Sequence, residues 1–354
     1  MKWNSSILVN DLLRRENNNL DLFRIAAALL VIVGHSYILF PSVGEIDQIK
    51  NFTGFTYSGA LAVKIFFFIS GLVVTNSIIK SKSFVHFTVS RIFRIFPALI
   101  FICLLTAFVI GPFLTSLPLS NYFNTGQPLF YFKNNILLKT EYFIPDLFHA
   151  NKYPNVVNGA LWSLPEEVGC YLFLLAIFSI GILKNKWAAS IVFGLLIIDL
   201  ILPHRIFTYW KSDNPEIALL PACFAMGAIL AINKDKLTTN FLQTIGLSLL
   251  TFILWGTRFT ELVFCFTIFS LIINLSATEI VKRFKIKNDV SYGIYLWGFL
   301  VQQIVQHFIV DQTVYLKMVI SVVIAVGIAC ISWFLIEKRF INYGRLLIVK
   351  LNGL

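Results

Sequence analysis

LFRIAAALLVIVGHSYILF, Leu22 to Phe40, is an apolar run interrupted by one guanidinium and one imidazole. At about 1.5 Å per residue, a run of this length crosses the roughly 30 Å hydrocarbon core of a bilayer as a helix. Eleven steps of about 100° return His35 to within roughly 20° of Arg24, so both share one face, roughly 16 Å apart along the axis. Ionisable groups in a membrane helix are expensive and face a cavity or a partner, so this face points at something other than lipid. The simpler reading is that Arg24 snorkels to the headgroups while His35 only hydrogen-bonds a neighbouring helix.

Outward from that helix, the whole chain has the same character. Its 354 residues are 57% hydrophobic, 15% aromatic and only 13% charged, with a mean hydropathy of +0.78, which excludes a soluble globular domain. The net charge of +11 does not point to nucleic acid, because Lys and Arg come in short clusters between apolar runs. Cys103, Cys170, Cys223, Cys265 and Cys330 fall in or beside apolar runs without metal-ligand spacing, so neither a disulfide framework nor a metal site is expected. A polar stretch precedes Leu22 and no small-residue cleavage site follows Phe40, so the first run reads as a retained span.

Ten spans can be marked, near 22–40, 59–79, 97–117, 160–183, 187–202, 216–232, 241–256, 259–276, 291–310 and 317–336. The expected fold is therefore all-α: one polytopic membrane-embedded domain over 1–354, with a segment 1–20 before the first span and a tail 337–354 after the last. With the N-terminus in the cytoplasm, twenty of the 29 Lys and Arg residues lie on the inner side. They include Arg14, Arg15, Lys80, Lys82, Lys282, Arg283, Lys285, Lys287, Lys338 and Arg339. Eight lie outside, Lys50, Lys133, Lys139, Lys152, Arg205, Lys211, Arg258 and Lys317, with Lys64 within a span. That asymmetry places both termini of a multi-pass membrane protein in the cytoplasm. The long connection 118–158 is outer, too small for a catalytic domain and suited to a lid or a partner surface. Neither an internal repeat nor a Gly-rich phosphate loop is evident, so any chemistry uses the spans and their rims.

The polar groups in those spans are few. Phe67-Phe68-Ile69-Ser70-Gly71 offers a hydroxyl and a place for close helix approach. Arg91 and Arg94, three apart before Pro97, project from one face at the inner rim and suit a phosphorylated cytosolic ligand, although plain leaflet anchoring would place them there too. Leu161-Trp162-Ser163-Leu164-Pro165-Glu166-Glu167 opens the fourth span, followed by Tyr171; the adjacent carboxylates diverge by about 100°, so one looks inward. Ser291-Tyr292-Gly293-Ile294-Tyr295-Leu296-Trp297 opens the ninth span, and Glu337-Lys338-Arg339 after the tenth reads as an interfacial charge cluster.

In this order and spacing, these motifs resemble the acyltransferase 3 family, integral-membrane O-acyltransferases of bacterial surface polysaccharides, over nearly the whole chain. The family's Arg-x10-His maps onto Arg24 and His35, and its carboxylate onto Glu167. Departures are Glu166 where many members are apolar, Gly298 where many have His, and Arg339 where Pro is common. The resemblance implies an acyl-coenzyme A donor, with acetyl-coenzyme A first, and a saccharide acceptor, O-antigen or exopolysaccharide or its lipid-linked precursor. His35 is then expected as general base, or as a transient acyl carrier. Glu167 would orient it or hold an acceptor hydroxyl, and Arg24, Arg91 and Arg94 would grip the donor's phosphates. Ser70, Trp162, Ser163, Tyr171, Tyr292 and Tyr295 are expected to line the pocket. The competing reading is a transporter or flippase for a lipid-linked saccharide, with the same groups binding substrate or relaying protons. A membrane glycosyltransferase fits poorly, because its outer loop would carry only Glu141 and Asp146.

Overall fold

The structure, a computed structural model, describes residues 6–200, 215–284 and 286–352. The end of the 187–202 span and the cations Lys2, Arg205, Lys211 and Lys285 lie outside the described residues. The described residues are mostly helical, and the only strands among them are Ile7–Leu8 and Thr238–Thr239, which pair antiparallel with Ile7 opposite Thr239. Apart from short turns such as Val9–Leu12 and Gln48–Thr53, the helices in chain order are α1 (Leu20–Leu39), α2 (Ser58–Ser81), α3 (Phe84–Leu114), α4 (Leu119–Asn124), α5 (Gln127–Ile136), α6 (Gly159–Ser179) and α7 (Lys186–Ile198). They continue as α8 (Glu216–Ile232), α9 (Phe241–Ile253), α10 (Thr260–Ser276), α11 (Glu279–Arg283), α12 (Ser291–Phe308) and α13 (Val314–Leu351).

Five of these, α1, α2, α3, α6 and α13, are long and apolar enough to cross a membrane; α7 to α10 are shorter apolar helices. Large apolar side chains such as Leu172, Ile191, Phe252 and Val323 are more than half exposed, a surface that suits lipid rather than water. This is a helical membrane protein.

Two boundaries differ from the sequence expectation. Helix α3 begins at Phe84, thirteen residues before the expected 97, because Ser83 caps it by accepting the His86 amide at 3.2 Å. Pro97 then sits inside a continuous helix, and Arg91 and Arg94 belong to α3 itself. Helix α13 runs on past 336 through a π-helical turn at Trp333–Glu337 into Lys338–Asn352. The extra residue in that turn swings Glu337 inward, where it is 1% exposed. Glu337 is therefore a buried partner rather than part of an interfacial cluster.

Helix α2 is the centre of the bundle, packing on α1 and most extensively on α8. Glycines make both contacts possible. A Cβ on Gly71 would lie 2.0 Å from the Phe224 carbonyl oxygen, and one on Gly227 would lie 2.1 Å from that of Phe68, so the two backbones touch. Gly34 of α1 meets Gly59 of α2 in the same way, its Cβ falling 2.3 Å from the Gly59 nitrogen. Gly71→Ala is expected to force these helices apart at a cost of about 1–3 kcal/mol, seen as a lower thermal-unfolding midpoint in detergent. An unchanged midpoint would mean that the crossing is loose.

Lys64, the cation left within a span, is fully buried in α2. Its Nζ lies 2.5 Å from Glu261, 2.5 Å from Glu216 and 3.1 Å from the Thr56 hydroxyl. Two carboxylates and a hydroxyl replace the water that burial removes, which is why a Lys is tolerated there.

Candidate active site

Helix α1 positions the first group. Asn19 caps it by accepting the Leu22 amide at 3.3 Å, so Arg24 leaves the second turn toward α3 and α12. There it pairs with Asp289, just ahead of α12, and the same Asp289 oxygen accepts Arg94 at 2.8 Å. Arg94 also reaches Glu337 at 3.4 Å, and its guanidinium lies 5.5 Å from the Tyr292 ring centre and 5.8 Å from that of Trp333. One chain of charges, Arg24–Asp289–Arg94–Glu337, thus ties α1, α12, α3 and α13 together at the basic end of the bundle. Burial works to raise the Asp289 pKa. The Arg24 and Arg94 guanidiniums, with hydrogen bonds from Ser291, outweigh it and hold the carboxyl at about 2.

Helix α6 supplies the second set. Asn158 fixes its start by accepting the Ala160 amide at 3.2 Å while its amide donates to the Leu296 carbonyl at 2.9 Å, and Pro165 falls in the first turn of the α-helical part, which follows a 3-10 turn and begins at Ser163. Glu167 and Tyr171, one turn apart, then share a face. The Tyr171 hydroxyl donates to Glu167, and Ser70 of α2 lies 3.4 Å from Glu167 and 3.3 Å from Tyr171. Arg91 lies 5.8 Å from the centre of the Tyr171 ring. Among the described residues it makes no ion pair.

These groups enclose a cavity of about 180 Å³ walled by Asp21, Arg24, Ser70, Arg91, Arg94, Glu167, Tyr171 and Tyr292. A smaller one of about 40 Å³ continues from Arg24, Ser70, Glu167 and Tyr292 past Val63 to Ser163 and Tyr295. Of the two adjacent carboxylates, Glu167 is the one on these walls. Tyr295 is fixed there by Ser163 at 2.6 Å and the Ala160 carbonyl at 2.7 Å, and Tyr292 by the Ile95 carbonyl at 3.0 Å.

His35 and Trp162 stand apart from these two cavities. Trp162 packs on the apolar core. His35 is buried in the protein, its ring edge-on to Phe299 of α12 at 5.1 Å, and its Nδ1 has no hydrogen-bond partner among the described residues. Val63, on the smaller cavity, lies one turn along α2 from Gly59, the residue that touches Gly34. The cavity therefore stops about 6 Å, one helical turn, short of the level of His35. Glu167 accepts hydrogen bonds from Ser70 and Tyr171, and none from His35.

Besides Asp21 on the cavity wall, sequence reasoning missed two members of this neighbourhood. Asp289 is the only acid between Lys282 and Ser291, a lone carboxylate closing a run of cations just before a helix, and that contrast was the available signal. Gln302 of α12 is fully buried; its amide donates to the Ile32 carbonyl and the Ser36 hydroxyl, each at 2.8 Å, beside His35, while its own oxygen has no partner among the described residues.

A helical membrane bundle with an Arg and a His on one face of its first long helix, and a tyrosine-held carboxylate opposite, defines a class when set beside known proteins. The chain belongs to the acyltransferase 3 family, whose acyltransferase-domain model matches residues 17–337, and it is an O-acyltransferase. It is 31% identical to the O-acetyl transferase of Shigella phage Sf6 over 92% of this chain and 97% of that protein. It is also 28% identical to Nodulation protein 10 of Rhizobium leguminosarum bv. viciae, over 91% of this chain and 92% of that protein. No solved structure matches the chain.

Proposed function

We propose that this enzyme transfers an acetyl group from acetyl-coenzyme A to a hydroxyl of a bacterial surface polysaccharide, or of its lipid-linked precursor, with His35 as general base. The observation that carries the reading is the succession on one face of α1. Arg24 stands on a cavity wall with Ser70, Glu167 and Tyr171, and about three turns further on stands a sequestered imidazole whose Nδ1 has no partner among the described residues. The relatives support acetyl as the group transferred, since one of them is described as an O-acetyl transferase.

In the reaction, the imidazole takes the acceptor hydroxyl's proton as that oxygen attacks the thioester carbonyl. The tetrahedral oxyanion collapses, the carbon–sulfur bond breaks, and the departing thiolate recovers the proton from the imidazolium. Glu167, already gripped by Tyr171 and Ser70, holds an acceptor hydroxyl rather than orienting the imidazole. The transporter reading yields to family membership.

For the setting, α12 together with the nine apolar helices above, and the inward bias of Lys and Arg, support ten spans in the inner membrane with both termini cytoplasmic. The basic end of the bundle, with Arg24, Arg91 and Arg94, then faces the cytosol that supplies the donor. Membranes containing the protein, given radiolabelled acetyl-coenzyme A and saccharide acceptor, are expected to form a base-labile labelled ester on the saccharide. Label no greater than in membranes without the protein would overturn the proposal.

A further inference from the structure

The basic end has a second cavity that the chemistry above does not use. At about 480 Å³ it adjoins the Arg24 cavity across Leu20 and Asp21, which wall both, and Arg15, Lys282 and Lys287 line it together with Glu16 and Ile286. Its walls are stapled. The Asn19 amide group donates to the Val281 carbonyl at 2.9 Å and the Phe284 carbonyl at 2.5 Å, and the Asn19 backbone donates to Ser276 at 3.0 Å, tying the start of α1 to α11.

Two considerations assign an occupant. The first is charge already spoken for. Arg24 and Arg94 are neutralised by Asp289 and Glu337, so the inner cavity offers a polyanion one guanidinium without an ion pair, Arg91. In the outer cavity, Lys287 makes no ion pair among the described residues. Lys282 holds Glu279, whose side chain is 81% exposed, at 2.6 Å, and Arg15 is 3.8 Å from Asp21. Exposed pairs of this kind are worth little and yield to a phosphate. The second is size. A cavity of about 480 Å³ lies in the range that holds drug-sized ligands, roughly 300–1,000 Å³, whereas 180 Å³ and 40 Å³ admit a thin chain only.

We infer that the outer cavity holds the phosphorylated nucleotide end of the donor, its phosphates on Lys282, Lys287 and Arg15, while the narrow acyl-bearing arm passes Leu20 and Asp21 to Arg91 and Glu167. This rests on the coenzyme A thioester donor proposed above. It moves phosphate recognition away from Arg24 and Arg94, which become the scaffold of the inner cavity.

The test compares wild type with the Lys282→Ala/Lys287→Ala double variant on two donors, acetyl-coenzyme A and acetyl-pantetheine, which lacks the nucleotide and its phosphates. The variant is expected to raise KM for acetyl-coenzyme A about tenfold or more, as loss of charge-assisted bonds implies, with kcat within about twofold. Turnover of acetyl-pantetheine should be the same in both proteins. Equal shifts for the two donors, or no shift for either, would overturn the inference. Binding of adenosine 3′,5′-bisphosphate to the detergent-solubilised full chain reads the same site without catalysis. It should weaken about tenfold in the variant, and equal binding by both proteins, or none by wild type, would again overturn it. Wild type that binds the bisphosphate yet acetylates nothing would instead sink the proposed reaction. An anionic lipid headgroup as the true occupant would show as lipid-dependent activity of wild type lost in the variant on both donors alike.

Discussion

His35→Ala is expected to reduce acetyl transfer by about 10²–10⁴-fold, the range that a positioned general base contributes, while the protein accumulates in the membrane at wild-type levels. The separation of activity from folding follows from the surroundings of the ring. His35 makes an edge contact with Phe299, and its Nδ1 bonds to no described residue, so truncation breaks no network. By contrast, Ser36 next to it is tied into the structure, donating to the Ile32 carbonyl at 2.8 Å and accepting from Gln302 at 2.8 Å. A buried imidazole nitrogen with nothing to bond is a desolvated group with no structural return, which is the arrangement expected where a substrate hydroxyl completes it. Transfer is read as labelled ester on the saccharide, and folding as the thermal midpoint in detergent. Retained transfer in a normally folded variant would end the general-base assignment. Acetyl label on wild type without acceptor, absent from His35→Ala, would instead make His35 a transient carrier.

How much of this was legible in the sequence depends on the range of each interaction. Helix α1 was readable almost to its ends, because an apolar run is a local property and Asn19, its cap, is adjacent. Ser70, Arg91, Arg94, Glu167, Tyr171 and Tyr292 stood out because each is polar within or beside an apolar helix, and the fold gathers all six around one cavity. Phe84 as the start of α3 was missed because the Phe84–Phe96 stretch carries His86, Arg91 and Arg94 and falls below the hydropathy expected of a span, though its Ser83 cap is a local signal that could have been weighed. The π-helical turn at Trp333–Glu337 has no hydropathy signature, and without it Glu337 reads as surface. Asp289 was illegible for a different reason. Its partners lie 265 and 195 residues away in the chain, and nothing in the local spacing reports a contact that only the bundle creates.

Asp289→Asn is accordingly expected to destabilise the bundle more than any change on the cavity wall, by about 3–5 kcal/mol, as when one partner is removed from a buried ion pair. The carboxylate sits between two guanidiniums, and the side chains of Arg24, Arg94 and Asp289 are 26%, 15% and 14% exposed, so water can replace little of what is lost. With Asn in place, Arg24 and Arg94 confront each other as like charges, and Glu337 at 3.4 Å compensates Arg94 alone. The thermal midpoint should fall accordingly, and less so in Arg24→Gln/Asp289→Asn, where the unpaired charge is removed together with its partner. The difference between the double variant and the sum of the single ones measures the coupling. Additive effects would mean that the pair does not hold α1 to α12. The pH response carries the matching sign: because the folded carboxyl is depressed to about 2, its contribution is complete above the unfolded carboxylate pKa of about 4. It is lost only as pH falls from there toward 2, so the wild-type midpoint should show no contribution from this group between about pH 5 and 9. A midpoint that tracked Asp289 across neutral pH would require a carboxyl free of both guanidiniums, and the cavity that Arg24 and Arg94 frame would then lack its scaffold.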